Sequence, residues 1–421
     1  MLPAFFLCIS IFIQSYFIDR EQFLPLISLV SCSFLCYYFL IRQLKFNPNV
    51  STYWIIAIVV HLIPFFSTPP LSNDFYRFLW DGELINSGIN PYDYTPRQLV
   101  AGGMFNKLEY HKELFNGMGE LSQSNYSCYP VFNQVYFFLS TSLSNKLIIN
   151  LILLRSLVIL TIFVGFFYLE KLLELARISS SSKWVYILNP LLILEVSQNL
   201  HFEGAMISFM LMGIYFLSAK KWFLGALCFS LAIQLKLIPL MLLPFFLRWL
   251  GWQKSIFSWF FIGAITLACS LILIYPSNYL NFFSSLALYF SRFEFNSCIL
   301  HWYIVYGEWR YGYNRIQTFG PFLSRLATMS ILILAWLGAN FDLKKMMTRM
   351  FFGLFIYYLL ASTVHPWYIL VPLVLGLFSS YKFMLVWSFL VFLSYSLYSE
   401  IPELQYRILT IVEYSIVLTY M

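Results

Sequence analysis

The chain has 421 residues, of which 60% are hydrophobic and only 11% charged, with a mean hydropathy of +0.73. A water-soluble domain carries about 25% charged residues, so that class is excluded. The formal charge is +7, but the 26 Lys and Arg residues sit largely in short loops between apolar runs, which reads as membrane topology and excludes a nucleic-acid footprint.

Apolar runs long enough, or nearly so, to cross a ~30 Å hydrocarbon layer as helices recur from end to end. Spans are predicted at 2–18, 23–42, 50–66, 147–170, 184–199, 203–218, 222–235, 237–248, 255–275, 321–338, 350–364, 367–380, 383–398 and 407–421. The fold class is therefore all-α, a polytopic transmembrane helical bundle of about 12–14 spans. The first run has no basic residues before it and no small-residue cleavage site after it, so it reads as a retained span with the chain beginning near Met1. Arg42 with Lys45, Lys171 with Arg177 and Lys183, Lys220 with Lys221, Arg248 with Lys254, Lys344 with Lys345 and Arg349, and Lys382 mark the inner side. Their alternation requires that 222–248 be a short hairpin turning near Lys236 and Pro239. It also requires that 129–142 lie along the outer surface as an amphipathic segment.

On that topology the chain is a single integral membrane unit, 1–421, with two large outward loops at 67–146 and 276–320. The first loop is turn-rich and carries amphipathic helices. The seven cysteines follow no metal-ligand spacing, and most lie inside apolar runs. Cys128 and Cys298 fall in the two outward loops, on the same side, where they could pair.

The richest text is 73–96, NDFYRFLWDGELINSGINPYDYTP. Asp74, Arg77 and Asp81 stand at i, i+3 and i+7, on one face of a helix at the water–lipid boundary. Other polar groups end on the same side: Asn199 with His201 and Glu203, Lys236 in the hairpin turn, Arg292 with Glu294 and Asn296, and His365. Each alone fits a helix-end hydrogen bond or a snorkelling lysine. Together they outline a cationic, polar pocket roofed by the loops, and ionisable residues at such depth are costly enough to read as functional. His61, Arg155, Glu195 and Glu413 lie within spans and are assigned no chemistry; Arg155 and Glu195, on neighbouring spans, read as a structural pair.

Asp74, Arg77, Asp81, Gly82, Gly88, Asn90, Pro91 and Tyr92 form a pattern that resembles the GT-C superfamily of polyprenyl-phosphate-dependent glycosyltransferases, especially its bacterial mannosyltransferase-like branch. Asn189-Pro190, Lys236 ahead of Pro239 and Pro244, Phe295-Asn296-Ser297 and His365-Pro366-Trp367-Tyr368 follow in the same order, so the likeness runs from about residue 50 to 380. Two departures stand out: many relatives have Asp where this chain has Glu203, and an added helix pair precedes the first loop where the simplest members have a single span.

The resemblance implies transfer of a sugar, mannose being its commonest suggestion, from a polyprenyl-phosphate carrier to an acceptor glycan or lipid at the outer face, with inversion. One carboxylate suffices as base, because a phosphate leaves without a proton. Asp74 is the candidate base with Asp81 in reserve, either expected to be ionised at neutral pH. Arg77, Lys236, Arg292 and His365 are candidates to hold the phosphate, and Asn90, Tyr92, His201, Glu203 and Asn296 to bind substrate. No tightly bound cofactor is expected, nor a nucleotide-binding glycine loop. A divalent ion on Asp74, Asp81 and Glu83 is a minor alternative. The partners are membrane lipid, the lipid-linked donor and a glycan or lipid acceptor, with no nucleic acid. The expected location is a bacterial inner membrane with the site facing the periplasm. The competing readings are a transporter or flippase of lipid-linked sugars, which would carry charges near the midplane and at both faces, and a polysaccharide polymerase or ligase.

Overall fold

The computed structural model describes residues 2–44, 50–104, 108–291, 293–313, 315–338 and 341–421. Among these the elements are helical throughout, and the one pairing of extended segments is an isolated parallel bridge between Phe295 and Thr363. Three helices are long and apolar enough to cross a membrane: Phe23–Leu44, Leu147–Leu175 and Ile316–Trp336. A fourth span results if the bent pair Pro190–Gln198 and Glu203–Ser218 counts as one. Most other predicted spans are shorter apolar helices, while Trp252–Ser270, Leu343–Leu360 and Glu403–Tyr420 reach 18 or 19 residues but are less apolar.

Hydrophobic packing does not hold helices together in lipid, so polar contacts and close approach take over. The first two helices, Leu2–Phe17 and Phe23–Leu44, are joined by a buried network in which Ser33 Oγ donates to Ser10 Oγ (2.9 Å) and Gln14 Nε2 to Ser33 Oγ (3.0 Å). Leu147–Leu175 and Glu203–Ser218 meet so closely at Gly165 that a Cβ there would lie 2.1 Å from Ser208 Oγ. Leu24, Leu160 and Phe260 point outward, each more than 60% exposed, as lipid-facing residues do.

Arg155 lies in the middle of this packing, fully buried. The predicted Arg155–Glu195 pair does not form. Arg155 instead donates to the carbonyls of Phe65, Ser67, Ser197 and Gln198 at 2.8–3.1 Å, closing the open ends of two helices. Its long, five-donor head suits this task, which sequence position alone does not reveal.

The segment 129–142 contains an 11-residue helix, Val131–Thr141. At 1.5 Å per residue it is about 16 Å long, too short to cross. It packs on Asp74–Asn86, where Gly82 would place a Cβ 2.3 Å from Phe137 O. The break expected at Lys236 is present: Trp222–Leu235 ends, Lys236 is extended (φ −150°, ψ 140°), and a 3₁₀ segment Ile238–Phe245 follows. Pro239 and Pro244 withhold the amide protons that an α-helix there would need. No disulfide joins Cys128 to Cys298.

Candidate active site

Two helix breaks and one helix start deliver the site. At 199–202 the chain turns through 109° between its two half-helices. Leu200 takes φ +64°, and Asn199 secures the bend by donating to Leu194 O (2.8 Å) and accepting from the Leu71 amide (3.1 Å). The bend places Glu203 in the first turn of Glu203–Ser218 and Leu71 close to the start of Asp74–Asn86. Lys236, freed from helical geometry by its own break, reaches Glu203: Nζ lies 3.0 Å from Oε1, with Glu203 fully buried and Lys236 partly exposed.

Asp74, Lys236, His365, Trp367 and Tyr368 line one cavity of about 440 Å³, within the usual range for small-molecule sites, ~300–1,000 Å³. Apolar side chains, Ile238, Leu240, Met241 and Leu360 among them, make up much of the rest of its lining. The Asp74 carboxylate has no hydrogen-bond or ion-pair partner among the described residues. Burial raises its pKa above the ordinary 3.8; Lys236 opposes the shift, Glu203 adds to it and Arg20 opposes it. Its pKa is therefore not that of an ordinary, solvated aspartate. Arg20, in the short loop after the first helix and 4.9 Å over the Tyr398 ring, was missed by sequence reasoning; its only signal was a charged triplet, Asp19-Arg20-Glu21, on the predicted outer side.

His365 closes the cavity as part of an aromatic stack. Its ring lies 4.4 Å from Trp367, which in turn stacks on His201 at 3.4 Å. Burial, aided by Lys236, pushes His365 down to about 3. It is thus neutral at pH 7, a hydrogen-bonding group and not the fixed cation expected. His201 does not line the cavity; it sits behind Trp367 with Nε2 3.6 Å from Glu195 Oε2, and Tyr395 donates to the other Glu195 oxygen (2.8 Å).

Asp81 and Arg77 stand elsewhere. Asp81 is fully buried, with Oδ1 taken by Arg77 Nε (2.8 Å) and Oδ2 by Ser127 Oγ (2.5 Å) and Gln134 Nε2 (3.2 Å). Arg77 also donates to Ser122 O (2.7 Å) and Asn125 O (2.9 Å). The pair thereby ties segment 119–128 to Asp74–Asn86, and neither residue lines the cavity. Glu83 faces His111 (3.8 Å), so Asp74, Asp81 and Glu83 do not converge as a donor set, and no group of three potential metal ligands exists among the described residues.

Asn90 and Tyr92 bind protein. Asn90 accepts from the Tyr92 amide (3.0 Å) and donates to Leu273 O (2.6 Å), while Tyr92 donates its hydroxyl to Tyr129 O (2.5 Å). Asn296, at φ +49°, donates to both Glu413 oxygens (3.1 and 3.2 Å), and Trp387 Nε1 donates to Glu413 as well (2.8 Å). Its neighbour Phe295 exchanges backbone bonds with Ser362 and Val364 and places its ring 4.6 Å from His365. The C-terminal helix Glu403–Tyr420 thus holds a strap against the cavity wall, a role that setting Glu413 aside had overlooked. Arg292 lies outside the described residues.

The all-helical membrane bundle that holds this cavity has a GT-C-like fold. Residues 21–251, more than half of the chain, match the family model described as alpha-(1->6)-mannopyranosyltransferase, N-terminal domain, and the chain belongs to that family. It is a membrane mannosyltransferase. No curated protein matches the chain. The match includes Asp74, Glu203 and Lys236 and ends before His365, Trp367 and Tyr368.

Proposed function

We propose that this mannosyltransferase takes mannose from a polyprenyl-phosphate carrier and adds it to a glycan or lipid acceptor at the outer face of a bacterial inner membrane, as a multi-pass protein with its site toward the periplasm. One observation carries the reading: the free carboxylate of Asp74 and the ammonium of Lys236 share a cavity whose lining is otherwise largely apolar. A sugar phosphate with an isoprenoid tail has the same division of polarity.

In the reaction an acceptor hydroxyl attacks the anomeric carbon while the bond from that carbon to the phosphate oxygen breaks. Asp74 takes the hydroxyl proton, and the phosphate leaves with the bonding electrons, unprotonated. Lys236 is the cation toward which that charge develops, in a site where little water screens it. Glu203 holds Lys236 in place, and His365 offers a neutral hydrogen bond. The family description, an alpha-(1->6)-mannopyranosyltransferase, supports a sugar 6-hydroxyl as the attacking group and an α linkage in the product. With inversion, the donor phosphate is then β-linked. The partners are this donor, the acceptor and surrounding lipid; no tightly bound cofactor enters the scheme.

Purified protein in lipid vesicles should transfer labelled mannose from mannosyl-phosphoryl-polyprenol to an oligomannose acceptor, and not from a nucleotide-linked mannose. Transfer from the nucleotide donor alone would overturn the carrier assignment.

A further inference from the structure

A second cavity, besides the one containing Asp74, lies among the described residues. It has a volume of about 660 Å³ and walls almost wholly apolar, including Leu243, Leu247, Trp259, Leu332, Trp336 and Leu337. Three cations gather at the Trp336–Leu337 end. Arg248 donates to Trp336 O (3.0 Å) and lies 4.7 Å over its ring. The carbonyl of Arg248 accepts from the Phe341 amide (2.7 Å). Lys345 and Arg349 lie 5.2 and 5.9 Å over the Phe341 ring, and both heads reach to about 4 Å from where a Cβ on Gly338 would be.

None of the three cations has a carboxylate within 4 Å among the described residues. The nearest acid in sequence, Asp342, is exposed and accepts from the Lys345 backbone amide (2.7 Å) as a helix cap. Three uncompensated cations at the mouth of an apolar cavity call for a ligand with an anionic head and a hydrocarbon body.

We propose that this cavity is a second lipid site, occupied by an anionic phospholipid. Its phosphate sits among Arg248, Lys345 and Arg349, and an acyl chain fills the space between Leu243, Trp259 and Leu332. Basic pockets between membrane helices bind anionic head groups in this way. The donor's isoprenoid tail is a poorer occupant. Leu240 lines both cavities, so a tail could pass between them, but the cations stand at the far end. They are separated from Lys236 by the 3₁₀ segment and a following helical turn, roughly 20 Å of rise, and the end of a hydrocarbon tail has no use for charge.

The test uses the full chain in phosphatidylcholine vesicles with a small fraction of phosphatidylglycerol brominated on its acyl chains, which quenches nearby tryptophan. Wild type should show quenching well beyond that produced by the same fraction of brominated phosphatidylcholine. Trp259→Phe with Trp336→Phe should remove the excess. Neutralising cations to Gln should weaken phosphatidylglycerol binding by about fivefold each, on the order of a hundredfold for all three. Equal quenching by the two brominated lipids overturns the proposal, as does displacement of phosphatidylglycerol by polyprenyl monophosphate with unchanged affinity in the triple variant. Wild-type and Leu332→Trp proteins of matched thermal stability keep the reading separable from misfolding: the bulkier side chain should expel the acyl chain while the cations remain. The binding readout requires no donor, so it stands or falls independently of the transfer reaction.

Discussion

Replacing Asp81 by Asn removes the charge from a pair in which the carboxylate side chain is 0% and the guanidinium 4% exposed. Breaking a buried ion pair from one side costs about 3–5 kcal/mol, because the remaining charge stays buried. Asn keeps one acceptor oxygen and Arg77 keeps its two carbonyl partners, so the lower end, about 3 kcal/mol, is expected. The loss falls on the segment that Arg77 anchors through Ser122 and Asn125. A change of about 3 kcal/mol raises the open population on the order of a hundredfold. Tryptic cleavage at Lys112, whose side chain is 54% exposed on the neighbouring helix, should accelerate by a comparable factor where reclosing outpaces cleavage. Arg77→Met combined with Asp81→Leu should recover much of the protection, since an apolar pair leaves no orphaned charge. Unchanged cleavage with abolished transfer in Asp81→Asn would refute this reasoning and return Asp81 to the chemistry.

Three further outcomes follow from the same contacts. The base form of Asp74 is lost as pH falls through a pKa that burial has raised, so the acidic limb of kcat/KM should lie above the ordinary aspartate range; Lys236→Gln should move it to higher pH and Glu203→Gln to lower pH, and shifts in the reverse sense would contradict the assignment. Glu413→Gln, which keeps an acceptor for Asn296 and Trp387, should retain transfer within a few fold, whereas Glu413→Leu orphans both donors at about 1–3 kcal/mol each and should lower kcat and melting temperature together. Gly82→Ala drives a Cβ against the Phe137 carbonyl; thermal unfolding in detergent should report a loss of about 1–3 kcal/mol.

Helix positions were the most legible part of the sequence. The predicted 23–42 and 203–218 correspond to Phe23–Leu44 and Glu203–Ser218, because charged or turn residues punctuate the apolar runs sharply. The internal form of 184–199 and 237–248 was not legible: a π-helical segment at Ile193–Gln198 and 3₁₀ geometry at Ile238–Phe245 depend on tertiary contacts as well as on proline. Within the site, Asp74, Glu203, Lys236 and His365 could be picked out as polar groups at helix ends on one predicted side. Asn90, Tyr92 and Asn296 looked similar, yet their partners Leu273, Tyr129 and Glu413 are 37 to 183 residues away, and no local spacing tells a residue that holds two loops together from one that holds substrate. Trp367 and Tyr368 stood in the matched motif without a role; the stack on His201 and the cavity give them one.

The central claim is that Asp74 takes the proton from the acceptor. The most direct measurement compares wild type with Asp74→Asn in single-turnover transfer of mannose from mannosyl-phosphoryl-polyprenol, with donor binding followed in parallel. Asn preserves shape but cannot accept the proton, so the transfer rate should fall on the order of a hundredfold or more while donor binding changes little. Full transfer activity in Asp74→Asn would contradict the account.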